Sequence, residues 1–416
     1  MKALLALGAS ALALAGGTAR HAARLEPHFR VLAHVNPGGG YSGDVVGERH
    51  YAYLSSHSGK TDCPAQGVRV YDLANPRRPR HVATFAARTS APELAGTWTE
   101  KTIVRRVKTP GFAGVLAVTS VQACGDGFGG FGLYDVTRPA HPRLLSLVRT
   151  EPRGSHEIWL AAARGNAWVY TAEGVNEYEL TPDAYGFHIY DVSRPRAPVE
   201  VGGWSACRTL HKCTGLNGKP RTLVHSVITN AAATRAYLAY WDLGTVILDV
   251  SDPARPRYLG RTPPGQGQVH SDWLAAHGKV LLETHEIAHG RATVWDVYRP
   301  ARPRKLSEIR LPRGLRPGGS YPNFYGLADS VHDPKVDGKL GYFSWYAYGV
   351  LLFDLSHPSR PRFLTRFRPP SERDEHGLLC PGQACTADWS AVPRPHYVLA
   401  SDLNSGLWIL RLTRPG

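Results

Sequence analysis

Beyond its first twenty residues, the 416-residue sequence has no apolar run long enough to cross a bilayer, so no membrane span is expected. No segment sustains a 3.6-residue apolar period, which argues against a helical architecture. The P-loop, the Gly-x-Ser-x-Gly elbow, the His-Glu-x-x-His box and the dinucleotide fingerprint are all missing. "GDGFGGFG" (125–132) precedes a strand instead of opening a helix, and "ETHEIAHG" (283–290) has the wrong spacing for a metalloprotease box. Without a helix-turn-helix, zinc finger or RNA-recognition motif, no nucleic-acid partner is expected, despite a formal net charge of +15. Cysteine is scarce at six residues.

What is abundant points to strands and turns. The chain holds 43 glycines and 32 prolines, 10% aromatics and 43% hydrophobic residues. Its start, "MKALLALGASALALAGGTAR", has one Lys and then small apolar residues, the pattern of a signal peptide over residues 1–24. Secretion or extracellular placement follows, with cell-surface attachment as an option. In an exported chain the cysteines read as disulfides: Cys207 with Cys213, Cys380 with Cys385, and Cys63 with Cys124 as the remaining pair.

One unit recurs. "ILDVSDPARPR" (247–257) has near-copies in "RVYDLANPRRPR" (69–80), "GLYDVTRPAHPR" (132–143), "HIYDVSRPRAPV" (188–199), "TVWDVYRPARPR" (293–304) and "LLFDLSHPSRPR" (351–362), with a degenerate end at "GLWILRLTRPG" (406–416). Alignment on Asp72, Asp135, Asp191, Asp249, Asp296, Asp354 and Arg411 gives spacings of 63, 56, 58, 47, 58 and 57 residues. That period suits a four-stranded blade. The expectation is an all-β fold over 25–416, a single seven-bladed β-propeller of antiparallel blades. Residues 29–36 would serve as the missing outer strand of the last blade and close the ring. The repeated Asp is read as architecture: its carboxylate accepts nearby backbone N–H groups, and the following prolines end the strand.

The "ILDVSDPARPRYLG" unit resembles the LVIVD repeat, over essentially residues 40–416, with Arg411 as the departure in the last blade. The resemblance implies a secreted or surface propeller of bacterial type, and the family carries no common activity to transfer.

Chemistry is sought at the other end of the blades. In register, the inner strands start at Ser42, Thr99, His156, His225, His270, His332 and Thr386. Four consecutive blades therefore present imidazole at one channel mouth. His156, His225, His270 and His332 form a candidate ligand set for Zn, Cu or Fe. Glu157, Glu283 and Asp333 are the candidate catalytic carboxylates, placed to orient the rings or to act as a general base. Asp44, Glu100, Asp272, Asp388, His57, His285, Trp345 and Asp402 would complete a polar mouth. Two functions compete. One is an extracellular binding module for a protein, glycan or small molecule; the other is a metal-dependent hydrolase or oxidoreductase. On the opposite face the corner arginines, from Arg77 to Arg362, would form a basic ring able to dock on an anionic cell-wall polymer.

Overall fold

A computed structural model describes residues 27–59, 63–150, 153–173, 186–215, 222–319 and 326–413. The expected leader lies outside them. Seven antiparallel blades follow in chain order. The inner strands are Tyr41–Glu48, Thr102–Thr109, Glu157–Ala163, Val224–Thr229, Val269–Ala275, Pro334–Asp337 and Asp388–Pro393. Each packs on the next around a central channel, and the seventh returns to the first. The last blade is completed by His28–Val35, which pairs antiparallel with Gly406–Thr413 from His28↔Thr413 to Val35↔Leu407. The ring thus has no open sheet edge at the join between its first and last strands.

The corners explain the repeat. In all six good copies the Asp Oδ1 accepts the N–H two residues on: Ala74, Thr137, Ser193, Ser251, Tyr298 and Ser356, at 2.8–3.1 Å. The other oxygen takes an arginine eight residues on in five blades, for example Arg257 Nη2 at 2.6 Å from Asp249 and Arg143 Nη2 at 2.7 Å from Asp135. In blade three that register place is held by Val199. In blade seven the outer neighbour of the third strand is His28–Val35, supplied from the N-terminal side. Arg411 simply sits opposite Arg30 there, and no aspartate is needed. A β-bulge interrupts the third–fourth strand pairing of every blade, the seventh included, adding twist to the outer edge.

Apolar side chains fill the spaces between blades, led by fully buried aromatics such as Tyr53, Phe131, Phe187, Tyr237 and Phe343. Three disulfides join Cys63–Cys124, Cys207–Cys213 and Cys380–Cys385, the pairs expected, and they indicate an oxidising, non-cytosolic environment. No helix among the described residues is long and apolar enough to cross a membrane.

Candidate functional site: an aromatic ring at the channel mouth

Bulges at the starts of the inner strands aim the mouth residues inward. In blade four Val224 pairs with Tyr240 and Ser226 with Ala239, leaving His225 as the extra residue. In blade seven Trp389 is extra between Asp388 and Ser390, and in blade five His270 lies within the bulge between Val269 and Asp272. A bulge re-aims a side chain that regular alternation would point elsewhere.

The result is a closed ring of seven aromatic side chains, one from each blade. His57 meets Trp98 at 4.2 Å between centroids, Trp98 meets His156 at 6.1 Å, and His156 meets His225 at 4.4 Å. His225 to His270 is 4.0 Å and His270 to His332 is 4.3 Å. His332 to Trp389 is 3.9 Å and Trp389 returns to His57 at 5.3 Å. The hydroxyls of Ser42, Thr99 and Thr386, expected to complete this circle, do not: His57, Trp98 and Trp389 take those blades' places. Four of the sequence-selected imidazoles are neighbours, as anticipated, and His57 joins them.

Hydrogen bonding fixes the tautomers of three. Nδ1 of His225 faces the carbonyl of His270, Nδ1 of His270 that of His332, and Nδ1 of His332 that of Trp389, at 3.2, 3.0 and 2.7 Å. A carbonyl only accepts, so each Nδ1 carries the proton and each Nε2 presents a lone pair. Nε2 of His156 lies 2.9 Å from Nε2 of His225, and its Nδ1 faces the Gln122 amide oxygen. Nε2 of His332 is buried without a partner. Burial pushes all of them down: His57 to about 4, His156 to about 3, and His225, His270 and His332 well below the ordinary imidazole value. They are neutral at pH 7, the form that binds metal.

The carboxylate beside these rings is one the sequence reading did not select. Glu286 Oε2 lies 3.5 Å from His270 Nε2, and one donor atom each of His225, His270 and Glu286 falls within 4.8 Å of the others. Tyr346 donates its hydroxyl to Glu286. Glu286 also lines a cavity of about 440 Å³ with Trp241, Gln268, Ile287, Ala288 and Leu327. Trp241 in turn stacks on His225 at 5.0 Å. The only sequence signal was the acid-rich "ETHEIAHG", whose reach to the mouth depends on the strand-end turn.

The three candidate catalytic carboxylates do not orient the imidazoles. Glu157 binds Lys101 Nζ at 3.2 Å, and Lys101 also takes Asp44 at 2.9 Å. Asp333 pairs with Lys335 and accepts from Ser390. Together they form a buried charged belt lining the channel. Glu283 lies apart, accepting from Thr245, Thr262 and Trp295 between blades, with His285 at 3.4 Å. The ring-orienting role falls instead to backbone carbonyls and to Gln122 and Glu100, which face His156 Nδ1 at 2.7 and 3.1 Å.

The remaining expected mouth residues divide. His57 and Glu100 are at the ring, and Asp44 is in the belt. Asp272 accepts from Thr245 at 2.8 Å. His285 is tied to the Gly267 carbonyl at 2.9 Å, and Trp345 is buried, donating to the Asp329 carbonyl. Asp402 caps a turn by accepting from Ala387, Asn404 and Ser405 N–H groups. Asp388 is buried, and burial raises its carboxyl well above the usual range.

Fold and site together define a closed seven-bladed β-propeller with a histidine-rich channel mouth. Residues 236–262, from the second strand of blade four to its outer strand, match the LVIVD repeat family. The chain is a β-propeller that carries an LVIVD repeat in its fourth blade. No curated protein matches it. Among solved structures it is similar to Raptor of Chaetomium thermophilum, with a TM-score of 0.60 and 12% identity over 94% of this chain and 30% of that one. It is also similar to the computationally designed Ika8 protein, with a TM-score of 0.51 and 8% identity over 92% of this chain and 99% of that one. The chain spans less than a third of the Raptor chain, and likenesses at such identities concern the fold alone.

Proposed function

We propose that the protein is an exported binding propeller whose histidine mouth holds one divalent transition-metal ion, Zn, Cu or Fe, and engages its ligand there. The observation that carries this reading is the convergence of one ring nitrogen each of His225 and His270 and a Glu286 oxygen within 4.8 Å. Both imidazoles have Nδ1 committed to a carbonyl of the next blade. This is how metal-binding histidines are oriented by their outer partners. An imidazole–carboxylate donor set suits these metals and disfavours Ca²⁺ or Mg²⁺. His156 and His332 stand next in the ring as further donors. Glu100 and Glu286, with the belt's Asp44, Glu157 and Asp333 set against Lys101 and Lys335, supply acidic groups to offset the ion's charge.

Elemental analysis of the protein purified from culture supernatant tests this, with the His225→Ala/His270→Ala variant alongside. About one equivalent of metal in the parent and none in the folded variant is expected. Metal-free parent protein that also fails to take up Zn²⁺ or Cu²⁺ by calorimetry overturns the reading. N-terminal sequencing of the secreted form checks the leader. A second reading, a metal-dependent hydrolase or oxidoreductase, is favoured by the cavity beside Glu286, which has room for a reactant. It requires metal-dependent turnover that disappears in the double variant.

A further inference from the structure

The channel's other end, on the face of the Asp-Pro corners, has a different chemistry. Below the charged belt lies a cavity of about 520 Å³, built from the inner strands of all seven blades. It opens into a vestibule of about 620 Å³ that shares Arg105, Trp159 and Trp273 with it. Trp159 and Trp273 meet edge to face at 5.9 Å and 82°. Trp159 is pinned by its Nε1 donating to Thr229 Oγ1 at 3.0 Å.

The charges on the cavity floor satisfy one another: Lys101 takes Asp44 and Glu157, and Lys335 takes Asp333. Arg105 stands outside these pairs. Its guanidinium lies 4.6 Å over the Trp159 ring, half-buried, and no carboxylate or carbonyl among the described residues accepts from it. A guanidinium has five N–H donors in a fixed fork that matches a carboxylate, and stacking on indole leaves that fork free at its edge. Arg394 adds a second cationic group on the wall, with its Nε buried and unpartnered. Around them the wall mixes apolar Ile228, Val336 and the two tryptophans with polar Thr102, Ser226, Ser271 and Asp272.

We propose that this lower chamber binds a small aromatic acid, its ring enclosed by Trp159, Trp273 and Ile228 and its carboxylate held by the Arg105 fork. The size is right, since chambers of this volume take ligands of one to a few rings. The site is separate from the histidine mouth, with the charged belt between them, and does not depend on a metal.

Isothermal titration calorimetry of the secreted protein with naphthoate tests the proposal. Naphthalenemethanol, cyclohexanecarboxylate and glucuronate serve as comparison probes. Naphthoate is expected to bind at one site, and Arg105→Gln to weaken it about tenfold, the worth of a charge-assisted pair. Naphthalenemethanol is expected to be indifferent to that change, and Trp273→Leu to weaken both aromatic probes. Should Arg105→Gln not fold, Arg105→Lys keeps the charge without the fork and is expected to give a smaller loss. The His225→Ala/His270→Ala variant is expected to bind naphthoate like the parent, so the two sites fail or stand separately. No saturable naphthoate binding, equal affinity in every Arg105 variant, or tighter binding of glucuronate overturns the proposal.

Discussion

Replacing Asp249 tests whether the repeated aspartate is architectural. Its Oδ1 accepts from Ser251 N–H at 3.0 Å and its Oδ2 from Arg257 at 2.6 Å. The Ser251 hydrogen bond and then Arg257 hold its carboxyl at about 2, against an ordinary 3.8. Taken at face value that difference is at most ~2.5 kcal/mol. Arg257 is 73% exposed, so solvent screening reduces the share available to ~1 kcal/mol. A folded-state value below the unfolded one means this stability is present above pH ~4 and is lost as pH falls toward ~2. Asp249→Ala also removes the neutral part of the turn hydrogen bond, bringing its cost at pH 7 to about 1.5–2 kcal/mol. Asp249→Asn keeps an acceptor for Ser251 and is expected to cost ~1 kcal/mol. Blade three supplies the control: Asp191 makes the same turn to Ser193 N–H but faces Val199, and with no ion pair to it among the described residues Asp191→Asn is expected to be near neutral. Urea unfolding followed by tryptophan fluorescence at pH 7 and at low pH measures all four, and common titrations cancel between parent and variant. Equal stability of Asp249→Ala and parent at pH 7 would refute the structural reading. So would a variant of unchanged stability that had lost metal or ligand binding.

Two further predictions bear on how the ring is held. Cys63–Cys124 spans 61 residues and Cys380–Cys385 only 5. In the chain-entropy picture, removing the first costs ~4 kcal/mol and the second ~2 kcal/mol, an order that paired Cys→Ala variants in urea will show or reverse. Gly349 opens the third strand of blade six with φ of 79°, and a Cβ there would lie 2.2 Å from the Phe367 carbonyl oxygen. Gly349→Ala is therefore expected to cost about 2–3 kcal/mol, adding backbone strain to a displaced outer strand; a thermal melt matching the parent would contradict this.

The fold was legible because a propeller repeats its local solutions. One aspartate, one turn and a proline stop recur six times, so a residue seen in every blade points to the corner and away from chemistry. The same regularity misled at the mouth. Counting inward from Asp249 or Asp354 assumes strict two-residue alternation, and the inner strands break it at the places that matter. A bulge turns His225 and Trp389 inward as extra residues. Periodicity therefore found the imidazoles, which were conspicuous, but passed over Trp98 and Trp389 and gave their blades to Thr99 and Thr386. Glu286 and Arg105 were missed for a related reason. Each is placed in part by the blade beside it: Glu286 by Tyr346 of blade six as well as by His270 of its own blade, Arg105 by Trp159 of the following blade. Neighbour relations between blades are set by ring closure and twist, which no single repeat encodes. The corner arginines show the converse. Read as a basic ring, they find carboxylates within their own corners, with Arg80, Arg143, Arg257, Arg304 and Arg362 each facing the aspartate eight residues before it. Five of the fourteen corner arginines on that face are thus paired locally. An attraction to anionic polymer must come from the other corner arginines, and would fade within the short screening length of physiological salt.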